Sequence, residues 1–127
     1  MSEVVFDVSA VLAFLNQEPG AETIAPLFGQ AAISAVNFAE VVTKLAAAGI
    51  SGEAIAQILD NLQLEVVAFE VDQAFQTGLL RPSTQALGLS LGDRTCLALG
   101  LHLNQPVITT DRQWQNLDLA LEIQVIR

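Results

Sequence analysis

Asp7, Glu40, Asp93 and Asp111 lie far apart along the chain, each where an apolar run expected as a strand passes to a helical pattern, or one turn into that helix. Carboxylates gathered at strand ends repel one another unless positive charge sits among them, and the chain has five Lys and Arg against fourteen Asp and Glu. A bound divalent cation is the simplest resolution. All-oxygen ligation suits a hard ion such as Mg²⁺, which keeps several waters beside one or two carboxylates. Zinc fits poorly, because the one histidine, His102, and the one cysteine, Cys96, have no spacing that joins them as ligands. Both are expected as packing residues on a helix face.

Every acid also has a purely structural role open to it. Asp7 can accept backbone N–H groups at a helix start. Glu40 can pair with Lys44 one turn on, worth about 0.2–0.5 kcal/mol. Ser90 to Asp93 fits a capping box, and Asp111, after Thr109 and Thr110, fits an N-cap. Their neighbours suit support. Ser9 and Thr110 can hydrogen-bond a carboxylate or cap their own helices. Asn37, one turn before Glu40, can share its face and touch substrate or simply follow a Ser34 cap. Arg94 and Arg112 directly follow two of the acids, where they could meet phosphate or form solvated ion pairs, and Arg81 lies on the approach to Asp93. Trp114 is expected in the core.

The four local contexts are VVFDVSAVLAFL, ISAVNFAEVVTKL, LSLGDRTCLALG and PVITTDRQW. In that order, over nearly the whole chain, they resemble the PIN-domain nucleases, in particular the VapC-type toxins of bacterial toxin–antitoxin pairs. The resemblance implies that the acids converge on one pocket holding Mg²⁺ or Mn²⁺, with Asp7, Asp93 and Asp111 as ligands and Glu40 bound directly or through water. It further implies an endoribonuclease in which ion-activated water attacks phosphorus in line. An antitoxin is then the expected partner, alongside an RNA substrate and a second copy of the chain. Two readings from other classes stand beside it. One is a haloacid-dehalogenase-like phosphoryl-transfer enzyme with Asp7 as nucleophile, although Ser9 replaces the second aspartate such enzymes carry. The other is a catalytically silent module whose acidic cleft receives a basic peptide.

The elements that must carry these residues follow from the apolar patterning. Residues 3–7 read as a buried strand, and Ser9 offers the cap for a helix through AVLAFLNQ. A short helix over about 21–29, the strand AAIS and a helix from Val36 to Gly49 come next. Ser51 starts a helix striped by Ile55, Ile58, Leu59 and Leu62, making a helical hairpin with its neighbour. A strand at 64–68, a helix through Val71, Phe75 and Leu79, a helix from Leu91 to about Leu103, the strand PVIT and a last strand near 123–126 complete the pass; 82–89 has the weakest pattern. Alternation of this kind predicts an α/β fold, a parallel sheet of about five strands with helices on both faces. Ligands in such sheets bind beyond the carboxyl ends of strands where the strand order reverses, and Asp7 and Asp111 fall at strand ends.

At 127 residues the chain is sized for one domain over 1–127. Charged residues make up 15%, below the roughly 25% of an average soluble protein, which suggests apolar surface kept for partners. The hairpin around 36–64 is the expected place for both a second copy and the antitoxin, with a basic antitoxin residue, arginine by preference, reaching the acids. A net charge of −9 and a pI near 4.2 exclude the diffuse positive field of most nucleic-acid binders. That objection weakens where cations present the positive face to phosphate. The lone cysteine, the absence of a secretory pattern in MSEVVFD and the lack of any apolar run of roughly 18–20 residues predict a soluble cytoplasmic protein.

Overall fold

The computed structural model describes all of residues 1–127. Its strands are β1 (Val4–Phe6), β2 (Ala31–Ser34), β3 (Glu65–Val67), β4 (Val107–Thr109) and β5 (Ile123–Val125). The helices are α1 (Val8–Leu15), α2 (Ala21–Ile24), α3 (Ala35–Ala47), α4 (Gly52–Leu62), α5 (Val71–Leu79), α6 (Arg81–Thr84) and α7 (Leu91–Leu103), with 3-10 turns at Ala25–Leu27, Gln85–Leu87 and Arg112–Asn116. Every strand pairing is parallel and the order across the sheet is β3-β2-β1-β4-β5, the α/β architecture the patterning predicts. Parallel neighbours need long crossovers, so helices come to lie on both faces. The chain builds outward from β1 through β2 and β3, then returns to the other side of β1 for β4 and β5. Strand order therefore reverses between β1 and β4.

The central strands are apolar on both sides because both sides are covered. Val4, Phe6, Ala31, Ile33 and Ile108 face Val11, Val41, Leu45, Ile55 and Leu59. Val5, Ala32 and Val107 face the opposite layer, where Leu80, Cys96, Leu97, Leu99 and Trp114 are buried. Each fully buried large side chain contributes about 1.5–3 kcal/mol of transfer free energy, so this double core is what holds the strand ends in register. Phe28 closes one end, meeting Phe6 edge-on at 5.0 Å and Phe14 at 4.8 Å between ring centroids.

Three expectations are corrected. Helix α1 starts two residues earlier than a Ser9 cap would allow, because Asp7 Oδ1 accepts the Ala10 N–H at 2.9 Å. His102 is exposed near the end of α7, although Cys96 is buried as expected. In α5 the period is helical but the face is inverted: Gln73 and Thr77 are buried while Val71, Phe75 and Leu79 point outward. The inward polar face is satisfied locally, since Thr77 donates its hydroxyl to the Gln73 carbonyl at 2.7 Å and Arg94 of α7 donates to the Thr77 carbonyl at 3.1 Å.

Candidate active site

At the carboxyl ends of β1 and β4 a cleft of about 230 Å³ is lined by Asp7, Glu40, Asp93 and Asp111 together with Ser9, Asn37 and Gly92. Four acids separated by up to 104 positions thus share one concavity, at the point where the strand order reverses.

Asp7 leaves β1 directly into the cleft and is the most deeply buried of the four. Its Oδ1 accepts the Ser9 hydroxyl at 2.6 Å and the Ala10 N–H at 2.9 Å, while Oδ2 accepts the Thr109 hydroxyl at 2.7 Å. Burial pushes its carboxyl up to about 6, against the pull of those three hydrogen bonds, and the charge on Asp93 adds to the rise. The same two hydroxyls lock the strand ends together. Ser9 Oγ accepts the Thr110 N–H at 3.0 Å, and Thr109 Oγ1 accepts the Asp111 N–H at 3.0 Å. Thr109, fully buried, thus performs the support expected of Thr110, which contributes its backbone alone.

Glu40 reaches the cleft from α3. Asn37, one turn earlier and 2% exposed, donates from Nδ2 to Glu40 Oε1 at 2.8 Å and to the Gly92 carbonyl at 3.0 Å, so it clamps the first turn of α3 to the first turn of α7. A Cβ on Gly92 would run into the Glu40 carboxylate, whose Cδ would stand 2.9 Å away. Glycine at this position is what lets Glu40 lie beside Asp93. The expected Glu40–Lys44 ion pair is not formed, because the Asn37 bond turns the carboxylate inward.

Asp93 and Asp111 are caps as well as cleft residues. Asp93 Oδ2 accepts the Ser90 N–H at 2.9 Å while Ser90 Oγ accepts the Asp93 N–H at 3.1 Å, a full capping box for α7. Asp111 Oδ1 accepts the Gln113 N–H at 3.0 Å. Each uses one oxygen, so Asp93 Oδ1, Asp111 Oδ2 and Glu40 Oε2 accept no hydrogen bond from the protein. Arginine does not compensate them. Residues 93 and 94 diverge by about 100° on a helix, and the Arg94 guanidinium goes to α5. Arg112 is exposed and off the cleft wall, so neither arginine stands where a phosphate contact was expected. The single ion pair of the molecule joins Arg127 to Glu18 at 3.1 Å.

A family model for the PIN domain matches residues 4–119. The chain belongs to the PIN-domain family. No curated protein sequence matches this PIN domain significantly. Among solved structures, that of VapBC2 from Rickettsia felis bound to a promoter DNA fragment is similar at a TM-score of 0.75 and 17% identity, covering 98% of both chains. VapBC-1 from nontypeable Haemophilus influenzae gives 0.70 and 18%, covering 96% of both, and VapBC-5 from Mycobacterium tuberculosis 0.60 and 24%, covering 98% of both. At these identities the similarity is one of fold.

The donor set of the PIN cleft fits a hard divalent cation by chemistry: three free carboxylate oxygens, a fourth buried carboxylate and no basic partner. Asn37 Oδ1 is buried there without a hydrogen-bond partner, an acceptor suited to a ligand or its water shell. The acids are not, however, gathered as the ready ligand set of one ion; no three of them stand together in that way. Cys96 lies behind the site, fully buried, with burial and the charges of Asp7, Asp93 and Glu40 all pushing its thiol up, so it is inert. Thr109 and Gly92 are the site residues that sequence patterning passed over.

Proposed function

We propose that this PIN domain, as one unit over residues 1–127, is a Mg²⁺- or Mn²⁺-dependent endoribonuclease and the VapC-type toxin of a cytoplasmic toxin–antitoxin pair. The observation that carries the reading is the convergence of four carboxylates, unaccompanied by any basic group, on one cleft at the strand-order reversal. Asp7, Asp93 and Asp111 would hold the ion, with Glu40 beside them. When bound, the ion supplies charge stabilisation at the scissile phosphate and lowers the pKa of the attacking water. The rest is done by the chain. Ser9 and Thr109 fix the Asp7 carboxylate, and Asn37 turns Glu40 so that one oxygen faces the reacting centre and can receive a proton. A phosphoenzyme on Asp7 is disfavoured, since both its oxygens are engaged by donors and Ser9 is one of them.

For the antitoxin, the similar VapBC structures supply the precedent of a toxin–antitoxin family, and the molecule supplies a site. An apolar groove of about 470 Å³ lies between α3, α4 and β3, lined by Phe38, Val42, Ile55, Leu59, Leu64 and Val66, and shares no residue with the acidic cleft. An apolar antitoxin segment held there supplies affinity, and an arginine reaching the acids blocks the ion or the phosphate.

The test is cleavage of a mixed RNA pool by purified protein with Mn²⁺, Mg²⁺ or chelator. Divalent-dependent cleavage that falls by orders of magnitude in Asp7→Asn, Glu40→Gln and Asp111→Asn supports the reading. A well-folded wild type that binds the antitoxin yet leaves RNA intact at all metal concentrations would instead make it a silent acidic-cleft module.

A further inference from the structure

We infer that Asn37 tells RNA from DNA, its side-chain oxygen accepting the 2′-hydroxyl of a ribose beside the scissile phosphate. This role rests on the endoribonuclease reading of the same cleft and adds to it the residue that selects the sugar.

Asn37 is 2% exposed and lines the cleft with Asp7, Glu40, Gly92 and Asp93. Its orientation is fixed by hydrogen bonding. Both hydrogens of Nδ2 are donated, one to Glu40 Oε1 at 2.8 Å and one to the Gly92 carbonyl at 3.0 Å, so turning the amide over would set Oδ1 against two acceptors. Oδ1 is the atom left over, buried and without a partner. Buried acceptors are nearly always paired, and a residue this enclosed must have its missing donor delivered into the cleft rather than drawn from bulk water.

The protein supplies no donor to Oδ1, and chemistry narrows what a substrate can supply. The free oxygens around it, on Asp93, Asp111 and Glu40, are acceptors like itself. Phosphate and ring oxygens of a nucleic-acid backbone accept as well, so the backbone of a DNA strand brings Asn37 nothing. In an RNA backbone the 2′-hydroxyl is the group that donates. Its carbon adjoins the one that carries the 3′-oxygen, so a phosphate held at the acids brings a 2′-hydroxyl into the cleft with it. A strand without that hydroxyl leaves Oδ1 unpaired in an occupied cleft, and sites built to hydrogen-bond a substrate hydroxyl reject analogues that lack it. Asn37 thus acts through both ends of its amide. Nδ2 sets Glu40, and Oδ1 selects the sugar.

The test uses a short single-stranded oligoribonucleotide spanning a bond that the wild type cuts in the mixed RNA pool, with Mn²⁺ present. It is compared with copies in which one ribose flanking that bond is 2′-deoxy or 2′-fluoro. The fluoro sugar keeps the pucker of RNA but cannot donate, which separates the lost hydrogen bond from a changed backbone shape. For the wild type, kcat/KM should fall about 10- to 100-fold with either replacement at one of the two sugars. In Asn37→Ala and Asn37→Leu, Glu40 loses its clamp and every substrate is cut more slowly, but the ratio between ribose and replaced sugar should collapse toward one. A residue that only positions Glu40 would lower all substrates by one factor, and that unchanged ratio overturns the inference. Binding of the same strands in Ca²⁺, read by fluorescence anisotropy, gives the ratio where a variant is too slow to assay. A wild type that cuts the ribose, deoxy and fluoro strands equally also overturns it, a result that needs no variant to fold and leaves the endoribonuclease reading standing. Cleavage abolished by the deoxy sugar in wild type and variants alike would make the 2′-hydroxyl the attacking group instead of the partner of Asn37. A wild type that cuts no RNA with any metal removes the nuclease reading and this role together.

Discussion

Asp7 sits in the fold at a cost. Its carboxyl, ordinarily at 3.8, is raised to about 6 chiefly by burial, so the folded state holds the proton more tightly than the unfolded chain does. The sign follows directly: relative to its unfolded value, the group favours folding fully below pH 3.8 and loses that contribution as pH rises through about 6. The gap corresponds to roughly 3 kcal/mol of destabilisation at neutral pH when no cation is present. Asp7→Asn should therefore raise the melting temperature of chelator-treated protein at pH 7.5, by part of that amount because Thr109 must reorient, and the gain should disappear near pH 4. Mn²⁺ should reverse the ranking, since an ion at 100 times its dissociation constant adds about 2.7 kcal/mol to the wild type alone. Calorimetry in chelator and in Mn²⁺ at both pH values measures this; a variant no more stable than wild type in chelator at pH 7.5 would show that the three hydrogen bonds outweigh burial. Little of this was legible beforehand. The carboxylate could be read as a ligand or a cap, and the structure makes it a cap whose second oxygen is tied to a residue 102 positions away.

Helix α7 brings two functions to one turn, and they can be separated. Ser90→Ala removes the cap hydroxyl and should cost about 1 kcal/mol in urea titration while cleavage persists. Asp93→Asn should lose cleavage by orders of magnitude; if it stays fully active, Asp93 serves as a cap alone. Gly92→Ala tests the closeness of α3 and α7. Helix propensity favours alanine, and the obstructing atoms are the mobile end of Glu40, so the melting temperature should hold or rise slightly while cleavage falls because Glu40 is pushed aside. Element boundaries were legible because capping residues and short apolar runs are local: the helix expected from Leu91 to about Leu103 ends where the structure ends it, and Ser51 caps α4. Which face of α5 turns inward was not legible. Val71, Phe75 and Leu79 repeat at 3.6 whether they meet the core or the solvent, and the deciding contact, Arg94 to Thr77, joins residues from different elements. Gly92 escaped notice for the same reason, its constraint coming from a side chain on α3.

Across the whole molecule the charge is −9 and no helix is long and apolar enough to cross a membrane. With no arginine or lysine on the cleft wall, few phosphates are neutralised by side chains, so RNA binding should weaken only slightly between 50 and 200 mM NaCl at fixed Mg²⁺, far less than the roughly 10³-fold loss of a protein making several phosphate contacts. A steep slope in filter-binding titrations would place basic residues at the RNA after all. The sheet order has a consequence in time. β1 is central yet made first, and β4, the neighbour whose Thr109 and Asp111 complete the cleft, is made almost last. A chain emerging from the ribosome therefore carries Asp7 through the synthesis of β2, β3 and the helices up to α7 with no Thr109 to hold it and no Asp111 opposite. On the proposed function, the acids that would act on RNA therefore stay apart until β4 and Asp111 have been made, so the cleft an inhibitor would have to block exists only from that point on.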